Sequence, residues 1–236
     1  YEIASCLVGS EMCIRDRGRF CAGGWVLACD VRHFFDSTPH AVAKAAVAKR
    51  VYDSETVRHN ARIIDSFGGE RGIGLGSQVS QLNQLAVLDT LDHRIKETHR
   101  IRHYLRYMDD LALIHSDREK LEQVLADIRT QMAALGLELN SKTCIYPLRQ
   151  GVMWLQWRFI LTDRGKVVRK LNDKKVGQER RKLRKMRKRV EDGRMTMAQV
   201  RDHYRCWKAN AQRGNTRNLL KQMDRTYTDI MKEEPP

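Results

Sequence analysis

Long apolar runs are missing from this sequence. No stretch approaches the roughly 20 residues that a membrane-spanning helix needs, and no signal-peptide pattern is present. Cysteine is sparse and scattered: the six stand at positions 6, 13, 21, 29, 144 and 206, with no CxxC pair and no Cys/His cluster. That spacing argues against a zinc site and suits free thiols in a reducing cytoplasm. Internal repeats and low-complexity tracts are absent as well. Acidic residues are in deficit, 29 Asp and Glu against 44 Lys and Arg, for a formal net charge of +15. Such an excess calls for a polyanionic partner, because neutralised phosphates release their counterions on binding.

What is present suits a folded protein. A chain of 236 residues with 42% hydrophobic residues can bury one large core or two small ones. The segment 6–17, CLVGSEMCIRDR, resembles translated sequencing-adapter DNA, and residues 1–19 are read as a leader without function. Trp25-Val26-Leu27-Ala28-Cys29-Asp30 is a short apolar run ending on a carboxylate, the pattern of a buried strand. A helix is expected to follow to about Val51, capped by Ser37, with Pro39 in its first turn and Val42, Ala45, Ala46 and Val47 inward. Glycines at 68, 69, 72, 74 and 76 mark a loop. A helix over 79–96 is expected to bury Leu82, Leu85, Leu88, Leu91 and Ile95. Two β-rich runs then flank Met108-Asp109-Asp110, which reads as a hairpin with an acidic turn. A helix from a capping box at 116–119 to Gly136 follows, then strand-like pieces at 137–139, 143–146 and 153–161. Helices are expected at 173–190, 195–211 and 219–231. Strands mixed with helices, followed by helices alone, give an α+β domain over 20–165 and a helical one over 166–236.

Three carboxylates carry the chemical signal: Asp30 at a strand end, and Asp109 with Asp110 in a turn. Adjacent like charges repel unless a cation neutralises them, and hard divalent ions such as Mg²⁺ prefer oxygen ligands. Two ions about 3.5–4 Å apart can serve both ends of a phosphoryl transfer. The expectation is that Asp30 and the Asp109–Asp110 turn lie on neighbouring antiparallel strands, with carboxyls roughly 4–7 Å apart. An Asp-Asp turn by itself is common and usually solvated.

The order of motifs is more specific. Tyr107-Met108-Asp109-Asp110 resembles the YxDD signature of reverse transcriptases, and Asp30-Val31-Arg32-His33-Phe34-Phe35-Asp36 their first catalytic motif. The run 74–81 (GLGSQVSQ) resembles the family's glycine-rich motif, 135–143 (LGLELNSKT) the motif after the hairpin, and 154–159 (WLQWRF) the primer grip. The resemblance covers about residues 22–236. It implies a polymerase palm, an antiparallel sheet backed by helices, followed by an α-helical thumb. The activity implied is RNA-directed DNA synthesis, with deoxynucleotides added to a primer 3′-OH under two-metal catalysis by Mg²⁺, for which Mn²⁺ can substitute. RNA template, DNA primer, deoxynucleoside triphosphates and an accessory retroelement protein are the implied partners, in the cytoplasm of a bacterial or phage-infected cell, with no membrane.

By position, the resemblance implies that Asp30, Asp109 and Asp110 hold the metals with the Val31 carbonyl. It places Phe35 under the incoming sugar and Gln81 against nucleotide or template. Tyr107 lies beneath the primer end, and Lys142 stands near the triphosphate as proton donor to pyrophosphate. The helix over 173–190 carries Lys174, Lys175, Arg180, Arg181, Lys182, Arg184, Lys185, Arg187, Lys188 and Arg189, opposed mainly by Glu179. Such a helix would repel itself in isolation; a nucleic-acid backbone alongside explains it. Val176, Leu183, Met186 and Val190 supply its packing stripe, and Tyr204, Trp207 and Tyr227 are expected inside the helical bundle. Leu75-Gly76 followed by Ser80-Gln81 resembles bacterial enzymes of the diversity-generating retroelement type, a pattern shared in part with group II intron, retron-like and defence-associated relatives. The family's fingers precede its first catalytic Asp, whereas only 29 residues precede Asp30. With the fingers largely missing, the chain is expected to bind template–primer while synthesising little or no DNA, and a silent nucleic-acid-binding remnant is the alternative.

Overall fold

A computed structural model describes residues 24–162 and 166–232; the leader expected over 1–19 lies outside them. The chain divides into two compact units, the first ending at Leu148 and the second beginning at Arg149.

The first unit is α+β. Its strands β1 (Trp25–Asp30), β2 (His103–Tyr107), β3 (Asp110–His115) and β4 (Cys144–Pro147) form one sheet in the order β2-β3-β1-β4, every neighbouring pair antiparallel. β1 therefore lies between two partners, which suits its continuous apolar run. The helices are α1 (Phe34–Ser37), α2 (His40–Ala48), α3 (Ser54–Asp65), α4 (Gln78–Val87), α5 (Asp89–His93) and α6 (Arg118–Ala134). α6 packs on β1 and β3 through Leu121, Val124, Ile128 and Met132, all buried at helical spacing. Asp117 caps it by accepting the Glu119 amide, so the cap falls one residue later than the Ser116 of the expected box. Gly136 ends it at φ 67°: the Gly136 amide bonds the Ala133 carbonyl and the Leu137 amide bonds that of Met132. This paired closure needs a left-handed residue, which glycine adopts without penalty.

Two expected helices differ in detail. Ser37 does not cap α2. Its hydroxyl donates to the Arg32 carbonyl, and the His40 amide opening α2 donates to the Glu70 carbonyl of the glycine loop. The single helix expected over 79–96 is α4, α5 and a π-helical turn at Arg94–Thr98, broken at Leu88 (φ −93°, ψ 2°). Leu88, Leu91 and Ile95 are buried, but Leu82 is 65% exposed and α4 turns Ser80, Asn83, Gln84 and Val87 inward. Hydrogen bonding sets that rotation: Gln84 Nε2 donates to the Phe34 carbonyl, and the Thr38 hydroxyl donates to Gln84 Oε1 at 3.0 Å.

The second unit holds a sheet of β5 (Val152–Trp154), β6 (Trp157–Leu161) and β7 (Val167–Leu171), antiparallel in that order. Three helices follow: α7 (Asp173–Glu191), α8 (Met197–Ala211) and α9 (Arg217–Met231). The boundary expected at 165/166 moves to 148/149 because sheet and helices share one core. Trp157 and Leu171 pack with Val176, Leu183, Met186, Val200, Tyr204, Met223 and Tyr227. Gly214 allows the close approach, since a Cβ there would stand 2.4 Å from the Trp157 ring and 2.8 Å from the Arg169 carbonyl. Asn215 then closes the β7 edge, its amide donating to the Arg169 carbonyl and its Oδ1 accepting the Arg169 amide. Among the described residues no helix is long and apolar enough to cross a membrane.

Candidate active site

The acidic cluster is built by strand register. Asp30 ends β1 directly opposite Asp110, the first residue of β3. Residues paired in this way carry Cβ atoms about 4.5–5.5 Å apart. Tyr107 pairs with Asp110, so Met108 and Asp109 form a two-residue hairpin loop. Met108 takes a positive φ of 55°, an unusual conformation for a side chain of its size, which costs roughly 1–2 kcal/mol. The Val31 amide donates to the Asp109 carbonyl at 3.2 Å, which fixes the loop against the end of β1.

The two hairpin carboxylates are costly to ionise. Burial, then the charge of Asp30 and a hydrogen bond to it, hold Asp109 above the usual carboxylate range, partly offset by its own backbone amide. Asp110 is pushed up to about 6 by burial first, then by Asp109 and Asp30. The donor set suits a hard divalent cation: three oxygen acids brought together at the adjoining ends of β1 and β3, beside the Val31 backbone carbonyl. The side chains do not close around one point, since among the described residues no three His, Cys, Asp or Glu side chains enclose a common ion position.

This electrostatic load has a consequence for stability. Asp110 has a folded value of about 6 against an ordinary 3.8. Its contribution to stability is present below about pH 4 and is lost as pH rises through 6. Screened because the side chain is half exposed, the penalty at pH 8 is about 1 kcal/mol. Asp110→Asn is therefore expected to stabilise the protein by about that much at pH 8 and hardly at all at pH 4. Urea unfolding at the two pH values measures it; an equal gain at both contradicts the assignment.

Two supports were not legible beforehand. Arg106, 5% exposed, donates from Nε and Nη2 to Asp92, from Nη1 to the Met108 carbonyl and from Nη2 to the Leu85 carbonyl of α4. The Tyr104 hydroxyl donates to the same Asp92 at 2.5 Å, and burial with the Asp92 charge pushes its phenol up. Asn140 is the second support; its Nδ2 donates to Asp30 Oδ2 at 3.0 Å. The advance signals were an arginine beside a tyrosine in a strand and, for Asn140, its place inside the 135–143 run.

The remaining expected residues are spread around this centre. Phe35 lies on α1, half-buried against the core, its ring edge-on to Phe34 at 6.0 Å. Gln81 is exposed on α4, and Tyr107 is 55% exposed at the end of β2. Lys142 is exposed in the turn before β4, its amide held by Asn140 Oδ1. In the second unit, Lys174, Lys175, Arg181, Arg184, Lys185 and Lys188 are exposed along α7. Arg180 departs from that face: it is half-buried with Nε against Met223 Sδ, while Arg187 bonds Glu191 and the Met231 carbonyl. Glu179 is not a solvated counter-charge but a buried one, paired with His203 at 2.8 Å.

The family profile for reverse transcriptase (RNA-dependent DNA polymerase) matches residues 22–159, more than half of the chain. None of the curated proteins matches the sequence. Similar solved structures include apo telomerase from Candida tropicalis, at TM-score 0.51 and 13% identity, covering 70% of this chain and 36% of that one. A form of it truncated from the C-terminal domain gives 0.53 and 14%, with 72% and 40% covered. Telomerase from Candida albicans in complex with a TWJ fragment of telomeric RNA gives 0.50 and 15%, with 73% and 35% covered. The likeness is one of fold, and the chain spans about two-fifths or less of the length of those telomerase chains.

Proposed function

The chain belongs to the reverse transcriptase (RNA-dependent DNA polymerase) family, and from that premise we propose that it adds deoxynucleotides to a primer 3′-OH on an RNA template, with Asp30, Asp109 and Asp110 as the catalytic carboxylates. The observation that carries the reading is the register of Asp30 opposite Asp110, with Asp109 in the adjoining loop. The first unit is then the palm and the second contains the thumb.

Asp30, Asp109, Asp110 and the Val31 carbonyl are the groups that would hold two Mg²⁺, or Mn²⁺ in their place. Bound there, the ions would supply charge neutralisation at the attacking hydroxyl and the leaving phosphate oxygens. Tyr107, exposed beside the loop, supports the primer end. Gln81, on the outer face of α4, contacts nucleotide or template. Lys142 holds a proton at Nζ for the departing pyrophosphate. The exposed cations of α7 lie along the template–primer backbone, contacts that weaken steeply with salt. The Candida albicans neighbour was solved with an RNA fragment, which supports an RNA partner here. Leu75-Gly76 with Ser80-Gln81 supports a bacterial retroelement enzyme, of the diversity-generating type, working in the cytoplasm with an accessory protein.

Phe35 selects the sugar, because an aromatic ring packed against the core leaves no room for a ribose 2′-OH. Removing the ring opens that space without touching a carboxylate. Phe35→Ala is expected to raise ribonucleotide incorporation relative to deoxyribonucleotide by about tenfold to a hundredfold, the discrimination a shaped pocket achieves. Single-nucleotide extension measures the ratio, and an unchanged ratio removes Phe35 from this role.

A further inference from the structure

We propose that Asn140 is a positioning residue that ties the Lys142 turn to the Asp30 carboxylate through a single side-chain amide, an inference that rests on the polymerase reading above. Both ends of the amide are engaged. Nδ2 donates to Asp30 Oδ2 at 3.0 Å, and Oδ1 accepts the Lys142 backbone amide at 3.2 Å. The Asn140 backbone adds two bonds: its amide donates to the Asp30 carbonyl at 2.6 Å, and its carbonyl accepts the Thr143 amide at 3.0 Å. Only a carboxamide of this length meets both demands, since an anionic carboxylate needs a donor and a backbone amide needs an acceptor.

The path that brings Asn140 here is short. Gly136 ends α6, Glu138 accepts the Arg32 amide, and Leu139 bridges Val31. The chain therefore runs antiparallel past the end of β1 before turning at Asn140. Asp30 faces the hairpin carboxylates on one side and receives a neutral donor on the other. One oxygen of Asp30 is occupied, which fixes its rotamer and leaves Oδ1 free of the amide. The same amide sets where Lys142 leaves the turn, so the lysine and the carboxylate move together.

A merely structural Asn140 would need only its acceptor end, closing the turn at Lys142. Serine keeps such an acceptor for the residue two positions on, but is too short to reach Asp30. Asn140→Ser thus separates the two roles, and Asn140→Leu removes both. The readout is Mn²⁺ affinity by electron paramagnetic resonance titration of the purified chain, alone and in an Asp30→Asn background, with melting temperatures beside it. Partners that orient a metal ligand typically contribute tenfold to a hundredfold in affinity. Asn140→Ser is expected to weaken Mn²⁺ binding by about tenfold with little change in melting temperature, and to cause no further loss once Asp30 is Asn. Unchanged affinity in Asn140→Ser, or the same loss in both backgrounds, overturns the inference and leaves the polymerase reading standing. Failure of the unmodified chain to bind Mn²⁺ overturns the metal assignment of the site, and this inference with it.

Discussion

Replacing Arg106 with methionine is expected to cost the fold about 3–5 kcal/mol, because it strands the largely buried Asp92 carboxylate, 16% exposed. Arg106 is 5% exposed and gives Asp92 three hydrogen bonds of 2.6–3.0 Å. Without it, Asp92 keeps the Tyr104 hydroxyl as a donor. The Met108 and Leu85 carbonyls also lose a donor, so the left-handed hairpin loop is released from α4. At about 2–4 °C per kcal/mol for a chain of this size, melting should fall by roughly 10 °C. Arg106→Lys should recover little, since an ammonium cannot match the planar fork. The double variant Arg106→Met, Asp92→Leu should recover much of the loss, because removing both buried charges abolishes the desolvation cost. Denaturant unfolding of the three variants measures this; a loss below about 1 kcal/mol for Arg106→Met contradicts it.

Legibility in the sequence followed the strength of local patterning. β1, the β2–β3 hairpin, α6 and α7 stood out because apolar periodicity and turn chemistry agree there. The Asp30–Asp110 register was foreseeable for the same reason: a strand ending on Asp and a hairpin opening on Asp meet when apolar faces align. α4 misled because its buried contacts are polar; the Gln84 amide outweighs Leu82 and Leu85, which a hydrophobic stripe would turn inward. α3 went unread, since only Asn60 and Ile64 of its twelve residues are buried. The second core was split wrongly because Trp157 reaches its helical partners across a loop and a glycine, a tertiary fact without local signal. Arg106, Asp92 and Asn140 escaped notice for a related reason. Their importance lies in partners 14 to 110 positions away.

The largest effect of all is expected at the hairpin carboxylates. Asp109→Ala, Asp110→Ala removes two of the three oxygen acids while leaving the Arg106 anchor to the Met108 carbonyl intact. It also removes the Asp110 carboxyl, which burial first and then its acidic neighbours push up to about 6, so folding should not suffer. Positioned metal-ligating groups that act as a unit give losses on the order of a thousandfold or more when removed together. Binding of template–primer should persist, because the exposed lysines and arginines of α7 are untouched.

Primer extension therefore tests the account most directly. Purified protein is incubated with a primed RNA template, Mg²⁺ and all four deoxynucleoside triphosphates, beside Asp109→Ala, Asp110→Ala. The account predicts Mg²⁺-dependent extension, however slow, by the unmodified protein and none by the variant, although both bind the duplex at low salt. Equal extension by the two proteins, or failure of the unmodified protein to bind the duplex at low salt, contradicts it.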